Sequence, residues 1–158
     1  YVSSNATVTQ NSSGSDNQAT FNISFDVTGH IGDDLYIDKT CNAIPRDMPG
    51  MGTALATNQL SFTVEDGNGV IPQSLVTSCS LTTATDAVVF PKAYRVNDES
   101  TERFTLTVVA KPNTAGTYRM RIVGIGYNTT SGDIEGNQVV SNNAGALIDL
   151  RTQYVTIN

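Results

Sequence analysis

From residue 19 the chain alternates. ATFNISFDVTG sets Phe21, Ile23, Phe25 and Val27 on one side, with Asn22, Ser24, Asp26 and Thr28 on the other. A period of two is that of a strand with one face in a core and one in water. The same period returns in QLSFTVED, with Leu60, Phe62 and Val64 inward; in FTLTVVA, with Phe104, Leu106, Val108 and Ala110 together; and in TYRMRIVG, with Tyr118, Met120 and Ile122 together. DDLYIDKTC, QSLVTSCSLTT, DAVVFPKAYRV and ALIDLRTQYVTIN complete the set, and Pro91 inside its segment predicts an edge strand or a bulge. EDGNGV predicts a hairpin-type reversal, because Asp, Asn and Gly tolerate positive φ. NAIPRDMPGMGTALATNQ, residues 42–59, holds two prolines and two glycines and reads as a long loop. No segment sustains a helical period. About eight short strands separated by turn signals predict an all-β, antiparallel sandwich over residues 19–158.

Residues 1–18 differ. Val2, Ala6 and Val8 alternate weakly with polar neighbours, and NSSGSDNQ follows as a flexible polar linker by composition. The expectation is a short strand detached from the main domain. This stretch has neither the basic nor the apolar region of a secretory leader.

Between FTLTVVA and TYRMRIVG lies KPNTAG. A strand, a corner ending in Ala-Gly-Thr-Tyr, and a second strand resemble the E and F strands of the immunoglobulin fold. The resemblance makes Tyr118 the corner tyrosine, its ring in the core and its hydroxyl turned back to the upstream backbone. Antibody-type domains carry a Cys two residues after that Tyr, where this chain has Met120, and a core Trp, where it has none. The inter-sheet disulfide of such domains is therefore expected to be absent, with Cys41 and Cys79 no equivalent of it. TFNISFDVTGHIGDDLYIDKT, GTYRMRIVGIGYNTT and RTQYVTIN resemble immunoglobulin-like modules of predicted bacterial cell-surface proteins. That resemblance implies an extracellular, wall-associated or filament-forming role and supplies no catalytic residues.

Composition narrows the role further. The net charge is -6, and charged residues are 15% of the 158, so Ser, Thr and Asn carry most of the polarity. An acidic chain is a poor partner for nucleic acid, which needs clustered Lys and Arg, and for anionic membrane surfaces. No apolar run reaches the ~18–20 residues of a membrane helix. Two cysteines, Cys41 and Cys79, allow one disulfide, with two free buried thiols as the alternative. The secreted look of the composition favours the bridge. Asn5, Asn11, Asn22 and Asn128 begin Asn-x-Ser/Thr stretches, which predict exposure and are candidate glycosylation positions.

Candidate chemistry is sparse. His30 is the only histidine and sits in the turn GHIGDD without a nucleophile motif, so an enzyme is not expected. Asp26, Asp33, Asp34 and Asp38 cluster in sequence and are candidate calcium ligands, against the plainer reading of solvated turn carboxylates. No other cofactor is implied. Arg119 and Arg121 project from one strand face and, with Arg103, form either a basic stripe or cross-strand pairs with Glu102, Asp149 or Asp26. Tyr36, Tyr94, Tyr127 and Tyr154 are candidate sugar-stacking rings. Lys39 and Asn158 are candidates for an amide cross-link if Lys39 is buried. Two functions follow. One is a structural module of a surface filament, pilus or layer, self-associating by donation of the N-terminal strand to an unpaired edge. The other is a glycan-binding adhesin using loops 42–58 and 128–145.

Overall fold

The computed structural model describes residues 2–9, 17–29, 31–44, 60–84, 88–130, 138–141 and 150–157. Among them the strands are β1 (Val2–Thr9), β2 (Gln18–Thr28), β3 (Leu35–Asp38), β4 (Cys41–Ala43), β5 (Leu60–Asp66), β6 (Gly69–Val70), β7 (Val76–Thr83), β8 (Val88–Val89), β9 (Ala93–Val96), β10 (Thr101–Ala110), β11 (Gly116–Asn128), β12 (Gln138–Ser141) and β13 (Val155–Ile157). The described residues hold no α-helix, and no helix long and apolar enough to cross a membrane.

The strands form a two-sheet sandwich. One sheet has the order β1-β2-β10-β7 and is wholly antiparallel. The other runs β4-β5-β11-β3-β9-β8, with β12 and β13 also on β11 and β6 on β5, and its one parallel pair is β4 with β5. The core fills the space between them. Phe21, Ile23, Phe104, Leu106 and Val108 from the first sheet and Phe62, Met120 and Ile122 from the second are all at 0% exposure in one cluster.

Alternation explains the centre of the first sheet. Phe25 lies opposite Phe104, Ile23 opposite Leu106, Phe21 opposite Val108 and Ala19 opposite Ala110. A one-residue slip would turn every one of these into water, so the register is strongly specified. The intervening residues form a polar ladder on the outer face. Ser24 and Thr105 hydroxyls are 2.7 Å apart, Thr107 donates to Asn22 Oδ1 at 2.7 Å, Thr28 and Thr101 meet at 2.8 Å, and Arg103 donates to Asp26 at 2.8 Å. Cross-strand pairs of this kind contribute roughly 0.2–1 kcal/mol each.

Several expectations are corrected. The strand count among the described residues is thirteen, not eight, because three segments split or turn and β1 and β12 add two more. DAVVFPKAYRV is the hairpin β8–β9, with Pro91 at its bend. DDLYIDKTC breaks after Asp38 into β3 and β4, and EDGNGV carries the short return strand β6. The N-terminal strand is not detached: β1 pairs antiparallel with β2 along its full length, from Val2 opposite Phe25 to Thr9 opposite Gln18. Its eight rungs are backbone pairing, which a weak hydrophobic pattern does not reveal. The proposed linker lies largely outside the described residues.

The favoured disulfide forms, and it joins the two sheets. Cys41 and Cys79 are bonded, with their Cα atoms 6.1 Å apart. Cys41 is on β4 and Cys79 on β7, so the bridge joins an edge of one sheet to an edge of the other. Neither cysteine is on β11, the Tyr118 strand, where the antibody-type bridge is anchored. The loop assigned to 42–59 begins as structure: Asn42 and Ala43 extend β4, and Ile44 N donates to Phe62 O at 2.8 Å. The loop assigned to 128–145 contains β12, paired with β11. Strand β5 is buried on both faces, so Ser61, Thr63 and Glu65, which alternation assigns to water, are covered.

Candidate functional site

The edge strand β1 is the first surface of interest. Among the described residues it is the outermost strand of its sheet, paired with β2. An edge held by a single ladder is the element most readily exchanged between copies of a chain. At the opposite edge β7 exposes Thr77, Ser78, Ser80 and Thr82. Short polar side chains there suit contact with water rather than packing.

The second surface is the outer face of β5 and β11. Arg119 and Arg121 alternate with the core residues Tyr118, Met120 and Ile122, so they project away from the core. Glu102 and Asp26 belong to the other sheet. Both arginines converge on Glu65, the cross-strand partner of Arg119. Arg119 Nε and Nη2 donate to Glu65 Oε2 at 3.0 and 2.9 Å, and Arg121 Nη2 lies 2.9 Å from Oε1. Thr63 adds a longer hydrogen bond to Oε1 at 3.3 Å. Arg151 stands across from Arg121 in an antiparallel bridge, and the Arg119 guanidinium lies 4.7 Å from the centre of the Tyr154 ring. The predicted pairing partner Asp149 lies outside the described residues. The remaining predicted pair forms: Arg103 binds Asp26 through Nε and Nη2 at 2.8 and 3.1 Å.

Those Arg103 hydrogen bonds hold the Asp26 carboxyl below its ordinary value. A depressed carboxylate pKa stabilises the fold above the unfolded-state value of about 3.9. That contribution fades as pH falls through the lower, folded-state value.

The corner joining β10 to β11 is built on Tyr118. Its ring is buried, its hydroxyl donates to Thr114 O at 2.7 Å, and the Thr114 hydroxyl is 2.9 Å away. Replacing Tyr118 by Phe is expected to cost about 1 kcal/mol, the net worth of a hydrogen bond whose other partner is exposed and can turn to water. Urea denaturation measures it, and a loss well above ~2 kcal/mol would show that the hydroxyl organises the whole corner. Beside the corner is a cleft of about 300 Å³, with Ile71, Leu75 and Tyr118 on its apolar side and Asp66, Asn68 and Asn113 on its polar side. Asp66 Oδ1 is committed to the turn, accepting Asn68 N and Gly69 N at 2.7 and 2.8 Å.

The four candidate calcium ligands are not brought together. Asp26 faces Arg103. Asp34 lies 3.8 Å from Arg95 and accepts Asp98 N at 3.0 Å. Asp38, at the far end of β3, is buried and accepts Thr40 N at 2.7 Å, and Asp33 is exposed. Among the described residues no three His, Cys, Asp or Glu side chains form a group able to hold a metal ion. His30 lies outside the described residues, as do Asn11 and Asn158. Lys39 donates to Phe90 O and sits 4.7 Å from the centre of the Tyr94 ring.

The expected exposure of the Asn-x-Ser/Thr stretches fails at two positions. Asn22 is half-buried in the polar ladder, and Asn128 is buried with its Oδ1 accepting Thr130 N and Oγ1 at 2.6 and 2.7 Å. Asn5 lies within β1. The tyrosines do not form a platform. Tyr94 packs on Phe104 and donates to Leu81 O, whereas Tyr36 packs edge-on to Phe90 from the other face of the β3–β9 pair. Tyr127 lies on β11, and Tyr154 is half-exposed beside Arg119. No family model, curated protein or solved structure matches this chain.

Proposed function

We propose that this chain is an extracellular, immunoglobulin-like structural module that assembles into a surface filament or layer by exchanging β1 between neighbouring copies. The observation that carries the reading is the position of β1, an edge strand joined to the rest by eight rungs to β2. Exchange of an identical strand replaces each rung by its equivalent in the neighbour, so a chain of copies forms with little loss of pairing. The Cys41–Cys79 bridge fits an oxidising location. The Tyr118 corner and the two-sheet core fit the immunoglobulin-like assignment. The glycan-binding alternative has less support, since its candidate rings are dispersed and the two loops it relies on are partly strand.

Cross-linking tests the exchange. Thr7 and Thr20 are Cα partners across the β1–β2 ladder, and adjacent antiparallel strands place such partners within disulfide reach. The oxidised Thr7→Cys/Thr20→Cys variant, its strand locked at home, is expected to form no filaments by electron microscopy at high salt, where charge-dependent contacts are screened. Each single variant, its thiol alkylated, is expected to assemble as the native chain does. Normal filaments from the locked variant would sink the exchange reading.

A further inference from the structure

Among the described residues, the outer face of β5 and β11 carries three arginines and one carboxylate. Arg119, Arg121 and Arg151 are three of the chain's nine basic residues; Arg119 and Arg121 share one carboxylate, Glu65, and Arg151 stands opposite Arg121 on the other side of β11. Among the described residues Arg151 is exposed and makes no ion pair, and Arg121 Nε is buried without a hydrogen-bond partner. The side chains of Arg119 and Arg121 are 24% and 31% exposed, enough to meet an incoming anion while Glu65 holds their orientation. At their side Tyr154 leaves 48% of its surface in water, one of three large apolar residues so exposed among those described. The face holds an apolar ring with the Arg119 guanidinium over it, and two more arginines on the same sheet face.

Its complement is on the same molecule, at the other end. The turns at 31–34 and 97–100 are laced into one block. Gly29 N donates to Ser100 O at 2.9 Å, Gly32 N to Asp98 Oδ1 at 2.9 Å, and Asp98 N to Asp34 Oδ1 at 3.0 Å. Gly29 fits so closely that a Cβ there would lie 2.3 Å from Asn97 O. This block presents Ile31, 74% exposed, among the exposed carboxylates Asp33, Asp98 and Glu99. It caps the end where β2 finishes and β10 begins, whereas Tyr118 and Arg119 lie at the start of β11, after β10 has run ten residues to the other end. At ~3.4 Å per residue that is roughly 34 Å. One copy cannot bring the two surfaces together, and two copies can.

We infer that the acidic turn block of one copy docks head-to-tail on the arginine face of the next. Ile31 packs on Tyr154, and Asp33 and Glu99 pair with Arg121 and Arg151. Because the two surfaces differ, the contact does not close on itself and extends into a row. The occupant, a second copy, rests on the array reading above, but the contact does not depend on strand exchange. Charge pairs at such a rim act mainly through association rate and salt sensitivity.

The test is sedimentation velocity on the full-length chain in about 20 mM and about 500 mM salt. The native chain is expected to self-associate at low salt and to lose about tenfold in association constant at high salt. Arg151→Glu, and separately Asp33→Lys with Glu99→Lys, are exposed changes expected to weaken association about tenfold, with unchanged circular dichroism. Mixing the two variants is expected to restore association, because each reversed surface meets its opposite. A native chain that stays monomeric at low salt, or reversals without effect, overturns the inference. If Arg151→Glu weakens binding to an acidic polysaccharide while the turn-block reversal leaves association unchanged, the partner is a polyanion and the inference also fails. The strand lock separates the readings. Silent reversals with a disruptive lock leave exchange standing alone, and disruptive reversals with a silent lock leave only the docking.

Discussion

Cleaving the Cys41–Cys79 bridge, by the double substitution to Ser, is expected to lower the unfolding free energy by about 4 kcal/mol. The bond spans 38 residues of sequence. In the chain-entropy model a loop of that length removes about 4 kcal/mol of freedom from the denatured ensemble. The location adds to the effect. Strand β4 is three residues long and pairs in parallel with β5, the less stable arrangement per residue. Strand β7 is an edge with a mostly hydroxyl-bearing surface. Without the bond, each sheet keeps a short or exposed margin with one fewer tie to the other. Urea titration of native and double-Ser chains measures the shift in midpoint, with an unchanged slope showing that unfolding stays cooperative. A loss under ~1 kcal/mol would mean that the denatured chain is already compact around these residues.

Phe104→Ala is expected to cost about 3–5 kcal/mol. The ring is wholly buried. It stacks on Phe25 at 5.9 Å between centroids and meets Tyr94 at 5.7 Å, so it links β10 to β2 within its sheet and to β9 of the facing sheet. Truncation leaves a void bounded by two rigid rings that cannot collapse into it. The neighbouring Thr105→Ala, on the outer face, removes a hydroxyl pair with Ser24 at 2.7 Å and is expected to cost under about 1 kcal/mol. The contrast between adjacent positions is the point of the measurement. Equal losses at 104 and 105 would show that the two faces of β10 are not divided into core and water.

These two positions also show what can be read without coordinates. The alternation in β2, β10 and the first half of β11 names the core residues one by one, because each strand has one wet face and the period of two is then a direct record of burial. The same reading fails for β5. Ser61, Thr63 and Glu65 alternate as a wet face should, yet they are buried, and polar residues do not announce that they will be covered. Glu65 is therefore not legible as the partner of Arg119 and Arg121, 54 and 56 positions away by number, although an acidic residue at that point in a strand is a visible signal. Arg103 with Asp26 was among the pairs the charge pattern named. The two-residue strands β6 and β8 are too short to show any period. The pairing of β1 is carried by backbone groups that every residue supplies. The turn block at 31–34 and 97–100 depends on two loops whose side chains complete each other's hydrogen bonds, information that local patterns do not hold.

The direction of β1 has a mechanical consequence. Val2 lies beside Phe25, toward one end of the sandwich, and Ile157 lies beside Gly116 at the other. Tension transmitted through these two points pulls β1 along its own axis against β2. All eight rungs are then loaded in shear together, instead of peeling one after another, so the outermost strand is set to resist a steady pull along its axis.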